Sequence, residues 1–281
     1  MIDVFLDALL DTVKTLPFLL GAYLLIEFLE HKASGKLTGA LSRLGPLGPL
    51  GGAALGLVPQ CGFSVAAANF YAGRLITPGT LLAVFLATSD EALPILISQP
   101  GALPDLLLLL GVKLVSGTVF GVLADILWKR LRHTESQEPF SDLCRDCDCE
   151  HQGIFKSALI HTLRIALFLF IINLLLGGAI HMVGEDAISR VLLSGSVFQP
   201  LLAALIGFIP NCAASVILTE LYLSGSLSCG AAAAGLCTGA GVGLAVLFKA
   251  NRHPKENFLL AAMLYVAAVV TGIFCGLIFP G

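Results

Sequence analysis

The chain has 281 residues, of which 57% are hydrophobic and only 12% charged, and a formal net charge of −3. Its mean hydropathy is +0.91. Soluble domains carry roughly twice that share of charge, so a water-soluble globular fold is excluded. With no basic tract in the chain, so is a nucleic-acid partner.

Taken in order, the apolar blocks fall at about 7–29, 38–58, 61–73, 79–98 and 104–128, then 157–181, 190–210, 211–223, 229–248 and 257–279. Most approach the ~20 residues that cross a bilayer, and no soluble block separates them, so the chain reads as one integral membrane unit. Met1-Ile-Asp-Val-Phe-Leu-Asp lacks the basic region of a cleavable signal, so the first stretch is expected to stay as a helix. The expected fold is an all-α polytopic membrane protein of about ten transmembrane helices. Residues 1–131 form a first five-helix unit, 132–156 a polar linker and 157–281 a second unit.

Two stretches correspond without a gap: Gly56-Leu-Val-Pro59-Gln60-Cys61-Gly-Phe-Ser64-Val65 and Gly207-Phe-Ile-Pro210-Asn211-Cys212-Ala-Ala-Ser215-Val216. The match continues to Tyr71 against Tyr222, at an offset of 151 (207 − 56). Five spans per half is an odd number, so the second half is expected to enter the membrane inverted. The short blocks 61–73 and 211–223 occupy corresponding places in the two halves, which is the pattern of broken helices at a transporter's substrate site.

With the N- and C-termini outside, the inner loops hold Lys32, Lys36, Arg43, Arg74, Lys129, Arg130, Arg132, Arg145, Lys156, Arg164, Lys249, Arg252 and Lys255, and the outer loops hold Arg190. That bias fits the positive-inside rule and puts the linker in the cytoplasm.

The proline motifs are the first candidate site. Pro59 and Pro210 carry no N–H, so the carbonyls of Leu55 and Ile206 are expected to lose their helical partners, which is tolerated in lipid only inside protein or beside a wet cavity. Gln60 and Asn211 add oxygen ligands or donors, Cys61 and Cys212 add soft sulfur, and Ser64 and Ser215 add hydroxyls. The second constellation is Thr88-Ser89-Asp90-Glu91-Ala-Leu-Pro94, where Asp90 and Glu91 stand in an otherwise apolar span and are candidates to bind a cation or a coupling proton. Its counterpart, Gly239-Ala-Gly241-Val-Gly243, carries no acid, so one half would supply charge and the other flexible backbone. Glu220 aligns with Asn69 and is a further candidate, against the reading that it caps a helix end near water. The third constellation is Cys144-Arg-Asp-Cys147-Asp-Cys149-Glu-His151 in the linker, whose three thiols and imidazole suit a tetrahedral soft or borderline metal. Cys229, Cys237 and Cys275 read as packing residues.

Pro59-Gln60-Cys61-Gly-Phe-Ser64, Tyr71-Ala-Gly73-Arg74-Leu-Ile-Thr-Pro78-Gly79, Thr88-Ser-Asp-Glu-Ala-Leu-Pro94 and Pro210-Asn211-Cys212 together resemble the ten-helix heavy-metal exporters. That family is related by name to arsenic permeases, and some members are labelled manganese transporters. The resemblance covers the whole chain and implies an inner-membrane permease exporting a metal or metalloid ion. Family members often carry a His-rich central loop; here the loop is Cys-rich, with His133 and His151.

The expected activity is transport rather than catalysis. Alternating access would carry the ion past Cys61, Cys212, Gln60 and Asn211, and Cys144, Cys147, Cys149 and His151 would recruit metal. No G-x-x-x-x-G-K-[ST] loop is present, so the energy is expected from an ion gradient or a separate subunit, with no cofactor required. The partners are then the metal or metalloid ion and the lipid bilayer; homo-oligomerisation is left open by the sequence. Two other readings stand beside this one. A small-anion permease would use the broken-helix N-termini as its site, and a membrane thiol oxidoreductase would need close cysteine pairs at a membrane edge. Carboxylates and carbonyls suit manganese, whereas thiols suit zinc, cadmium or trivalent arsenic.

Overall fold

A computed structural model describes residues 2–32, 47–89, 92–99, 101–131, 154–183 and 198–279. Among them every regular element is an α-helix: α1 (Ile2–Lys32), α2 (Leu47–Gly56), α3 (Cys61–Ala72), α4 (Pro78–Ala87), α5 (Ala92–Ser98), α6 (Leu103–Leu131), α7 (Ile154–Val183), α8 (Gln199–Gly207), α9 (Cys212–Leu223), α10 (Cys229–Thr238), α11 (Val242–Ala250) and α12 (Pro254–Ile278). Asp90, Glu91 and the Cys144–His151 constellation lie outside the described residues.

The spans expected as continuous helices at 79–98 and 229–248 are each broken in two. The first gives way after Ala87, where Thr88 adopts φ −53°, ψ 129°. The second opens at Gly239, and Gly241 takes φ 54°, a conformation that L side chains rarely adopt. The short helices expected at 61–73 and 211–223 are present as α3 and α9, and each begins directly after its proline motif.

The helices pack in corresponding pairs. Within the halves, α4 packs on α2 and α6, and α10 packs on α8 and α12. Across the halves α1 packs on α7, while α3 lies against α11 and α9 against α5. Local detail repeats at the same offset of 151. Thr77 caps α4 by accepting from Thr80 N at 3.1 Å, and Ser228 caps α10 by accepting from Ala231 N at 3.2 Å. A Cβ built on Gly121 would lie 2.7 Å from the Gly79 carbonyl, and one built on Gly272 would lie 2.5 Å from the Gly230 carbonyl. Such backbone approach is how membrane helices gain van der Waals contact without a hydrophobic drive between them.

Among the described residues, five stretches are long and apolar enough to cross a membrane: Pro78–Ser98, Leu103–Arg130, Ala158–Leu175, Cys229–Ala250 and Pro254–Ile278. The outward side chains of α6 and α12 include Leu107, Val115, Leu123, Phe258, Val266 and Phe274, all exposed. Apolar surface on that scale belongs against lipid tails.

Candidate functional site

The two proline motifs fold alike, with one instructive difference. Gln60 and Asn211 both adopt extended backbone and precede the first helical residue, Cys61 or Cys212. Asn211 folds its side chain back, and Oδ1 accepts from Ala213 N at 2.8 Å. Gln60 is one methylene longer and reaches out instead, donating from Nε2 to the Lys14 carbonyl of α1 at 3.0 Å. The carbonyls expected to be orphaned by the prolines are not. Leu55 accepts from Val58 N at 3.2 Å and Ile206 from Ile209 N at 3.0 Å, because the last turn tightens to i+3 bonding.

The two serines converge on one place. Ser64 is fully buried and donates to its own Cys61 carbonyl at 2.7 Å. It lies against α11, where a Cβ on Gly243 would stand 2.7 Å from both Ser64 Cβ and Oγ. Ser215 lies at the other end of the same break, with its Oγ 3.3 Å from where a Cβ on Gly239 would be. Cys61 shares its buried cluster with Cys237, Ala240 and Val242. So the glycine-rich break at 239–243 is the point on which residues of both motifs close. Pro59 is exposed, Pro210 and Cys212 are half-buried, and Glu220 lies exposed in the last turn of α9 rather than among the buried polar residues. Its counterpart Asn69 is the buried one, accepting at 2.7 Å from the Tyr23 hydroxyl.

A residue that the sequence reading passed over joins the two breaks. Lys113, 2% exposed in the middle of α6, donates from Nζ to the Thr88 carbonyl at the end of α4 and, at 2.8 Å, to the Leu236 carbonyl in the last turn of α10. Cys237 is fully buried beside this ammonium and the Ser116 hydroxyl. The available signal was a lone lysine inside Leu-Leu-Leu-Leu-Leu-Gly-Val-Lys113-Leu-Val, since a cation at that depth is costly unless it is held by protein.

Two further clusters lie at the ends of the helices. Glu256, on the first turn of α12, accepts from Arg74 at 2.9 Å and from the Tyr71 hydroxyl at 3.1 Å, and Asn251 and Asn257 are bonded alongside it. At the corresponding place Tyr222 lies near Asp105 and Cys229. Cys229 and Cys275, expected to be separate packing residues, have their Sγ atoms 3.3 Å apart.

Discontinuous helices around a buried polar centre, wrapped in apolar surface, define a multi-pass membrane protein. A model of the family described as "Putative, 10TM heavy-metal exporter" matches residues 1–188, and the chain belongs to that family. No curated protein and no solved structure matches it.

Proposed function

We propose that this protein exports a heavy-metal or metalloid ion, with manganese, arsenite and other transition metals as the candidate cargo, by alternating access driven by an ion gradient. The observation that carries the reading is the convergence of parts from both halves on two helix breaks: Ser64 and Ser215 at Gly243 and Gly239, and the Thr88 and Leu236 carbonyls at Lys113. Interrupted helices leave backbone oxygens and dipole ends facing a common point, which is how ion sites are built at membrane depth. Under this reading residues 1–131 and 157–281 are two inverted repeats in the inner membrane, with both termini outside. The 132–156 linker is cytoplasmic and recruits metal through Cys144, Cys147, Cys149 and His151. Asp90 and Glu91 bind the cation or the coupling proton, and the polypeptide works without a cofactor or an enzymatic step.

The test is elemental mass spectrometry of cells expressing the wild type, Cys61→Ser/Cys212→Ser or Asp90→Asn, each loaded with manganese, iron, cobalt, zinc, cadmium and arsenite. One element should fall with the wild type and recover with the variants, and the variant with the larger effect identifies sulfur or oxygen as the selecting ligand. If no element changes although the protein reaches the membrane, the reading is lost.

The buried ammonium of Lys113 favours one second reading, a permease for a small anion. In that case α3 and α9 would present their N-termini to the anion beside the lysine. Competition by inorganic oxyanions, with metals without effect, would select it.

A further inference from the structure

Lys113 holds a place that suits a metal ion. The two carbonyls it engages belong to the ends of α4 and α10, where a helix has no further N–H groups to offer and its dipole is negative. The Leu236 carbonyl is not served by the N–H four residues on, because Ala240 N bonds to Thr238 O at 2.7 Å. Backbone carbonyls of this kind are hard oxygen donors, the ligands that hard divalent cations such as manganese take up.

We propose that Lys113 is the transporter's resident cation: its ammonium occupies the break carbonyls while the site is empty, the metal takes them by displacing it, and its return expels the metal. This rests on the metal-export reading. The two states are then mutually exclusive, since two positive charges in one poorly solvated site repel strongly. The arrangement is single rather than duplicated. The position 151 residues on is Leu264, fully buried and apolar, so one ammonium serves both breaks. Cys237, the titratable group that faces Lys113 from α10 among the described residues, is a fully buried thiol in the neighbourhood of the ammonium. Lys113 thus acts as a specificity-determining residue, setting how strongly a cation must bind to be carried and how readily it leaves.

The experiment uses the full-length protein purified in detergent and in proteoliposomes. Manganese binding is measured by titration calorimetry, export by loss of entrapped metal, and folding by melting temperature. Lys113→Met keeps the stem length and removes the charge; Lys113→Arg keeps the charge in a grip that cannot be discharged. Relative to wild type, Lys113→Met should bind metal about tenfold tighter yet export it at least about tenfold more slowly, and Lys113→Arg should bind about tenfold more weakly. A merely structural lysine would instead lower melting temperature, binding and export together, without opposite affinity shifts. The proposal is overturned if a folded Lys113→Met binds metal no tighter than wild type, or, should that variant not fold, if Lys113→Arg binds as wild type does. If the wild type itself binds none of manganese, iron, cobalt, zinc and cadmium, the metal-cation form of the export reading, on which this proposal rests, has failed, an outcome distinct from unaltered affinity in the variants.

Discussion

The Tyr71 hydroxyl donates to Glu256 at 3.1 Å, tying the end of α3 to the start of α12. Tyr222, at the end of α9, and Asp105, at the start of α6, stand close together at the corresponding positions, each offset by 151 residues from its counterpart in the other half. Each half thus sets a tyrosine beside an acid of the other. The two are not equivalent in strength. Arg74 closes the first as an ion pair with a fully buried carboxylate, while Gly225 stands at the corresponding position of the second.

That difference makes the Arg74–Glu256 end the tighter lock. Glu256→Gln should lower stability by about 3 kcal/mol, because it leaves the guanidinium without its counter-charge in a largely buried site. Arg74 also sits at φ 59°, where a side chain is strained and glycine is not. Arg74→Gly should therefore melt above Arg74→Ala, and detergent melting curves of the three variants check both expectations. Equal melting of Arg74→Gly and Arg74→Ala would remove the strain argument.

The caps give a second expectation. Asn211→Gln should cost about 1 kcal/mol, since the longer side chain no longer folds back on Ala213 N. Gln60→Asn should gain a cap on α3 and lose the bond to Lys14 of α1, leaving stability close to unchanged. Chemical denaturation of each variant is the measurement, and a loss at Gln60→Asn as large as at Asn211→Gln would contradict it.

Close packing at the second break sets a third. Gly243→Ala places a methyl 2.7 Å from Ser64 Cβ, and overpacking of that kind costs about 1–3 kcal/mol. Adding Ser64→Gly should restore part of the loss, not all, because the Ser64 carbonyl carbon also stands 2.9 Å from the new methyl. A double variant no more stable than Gly243→Ala would mean that the contact is not the cause.

The thiol pair supplies a fourth. Cys229 and Cys275, 3.3 Å apart, should cross-link readily when treated with diamide, each thiol giving up a hydrogen to the oxidant. Differential alkylation read by peptide mass spectrometry would show both sites protected together, and Cys275→Ser would restore alkylation at Cys229. Because α10 and α12 already pack closely on each other, the link should leave export intact. A block would show that these two helices slide during transport.

Much of this organisation was written in the sequence. The proline motifs announced α3 and α9 because a residue without an N–H, followed by a polar side chain and apolar sequence, starts a helix wherever it falls. The breaks in the next spans were not legible as breaks. Thr88-Ser89 and Gly239-Ala-Gly241 are compatible with a continuous membrane helix, and only the packing of α3 on α11 and α9 on α5 decides otherwise. Lys113 was passed over because one charge barely lowers the hydropathy of a leucine-rich span. Its importance comes from Thr88 and Leu236, 25 and 123 residues away in the chain. The nearness of Cys229 to Cys275 was hidden for the same reason: they are 46 residues apart, on different helices.

The crossed packing of α3 on α11 bears on how the protein is made. The ribosome releases α11 long after α3, so the first half must wait in the membrane with a polar-ended short helix lacking its principal partner. Insertion of α3 is therefore expected to be completed only when α11 arrives. Fragments ending before Val242 should be recognised by membrane quality control and degraded, and supplying the missing segment as a separate chain should rescue them.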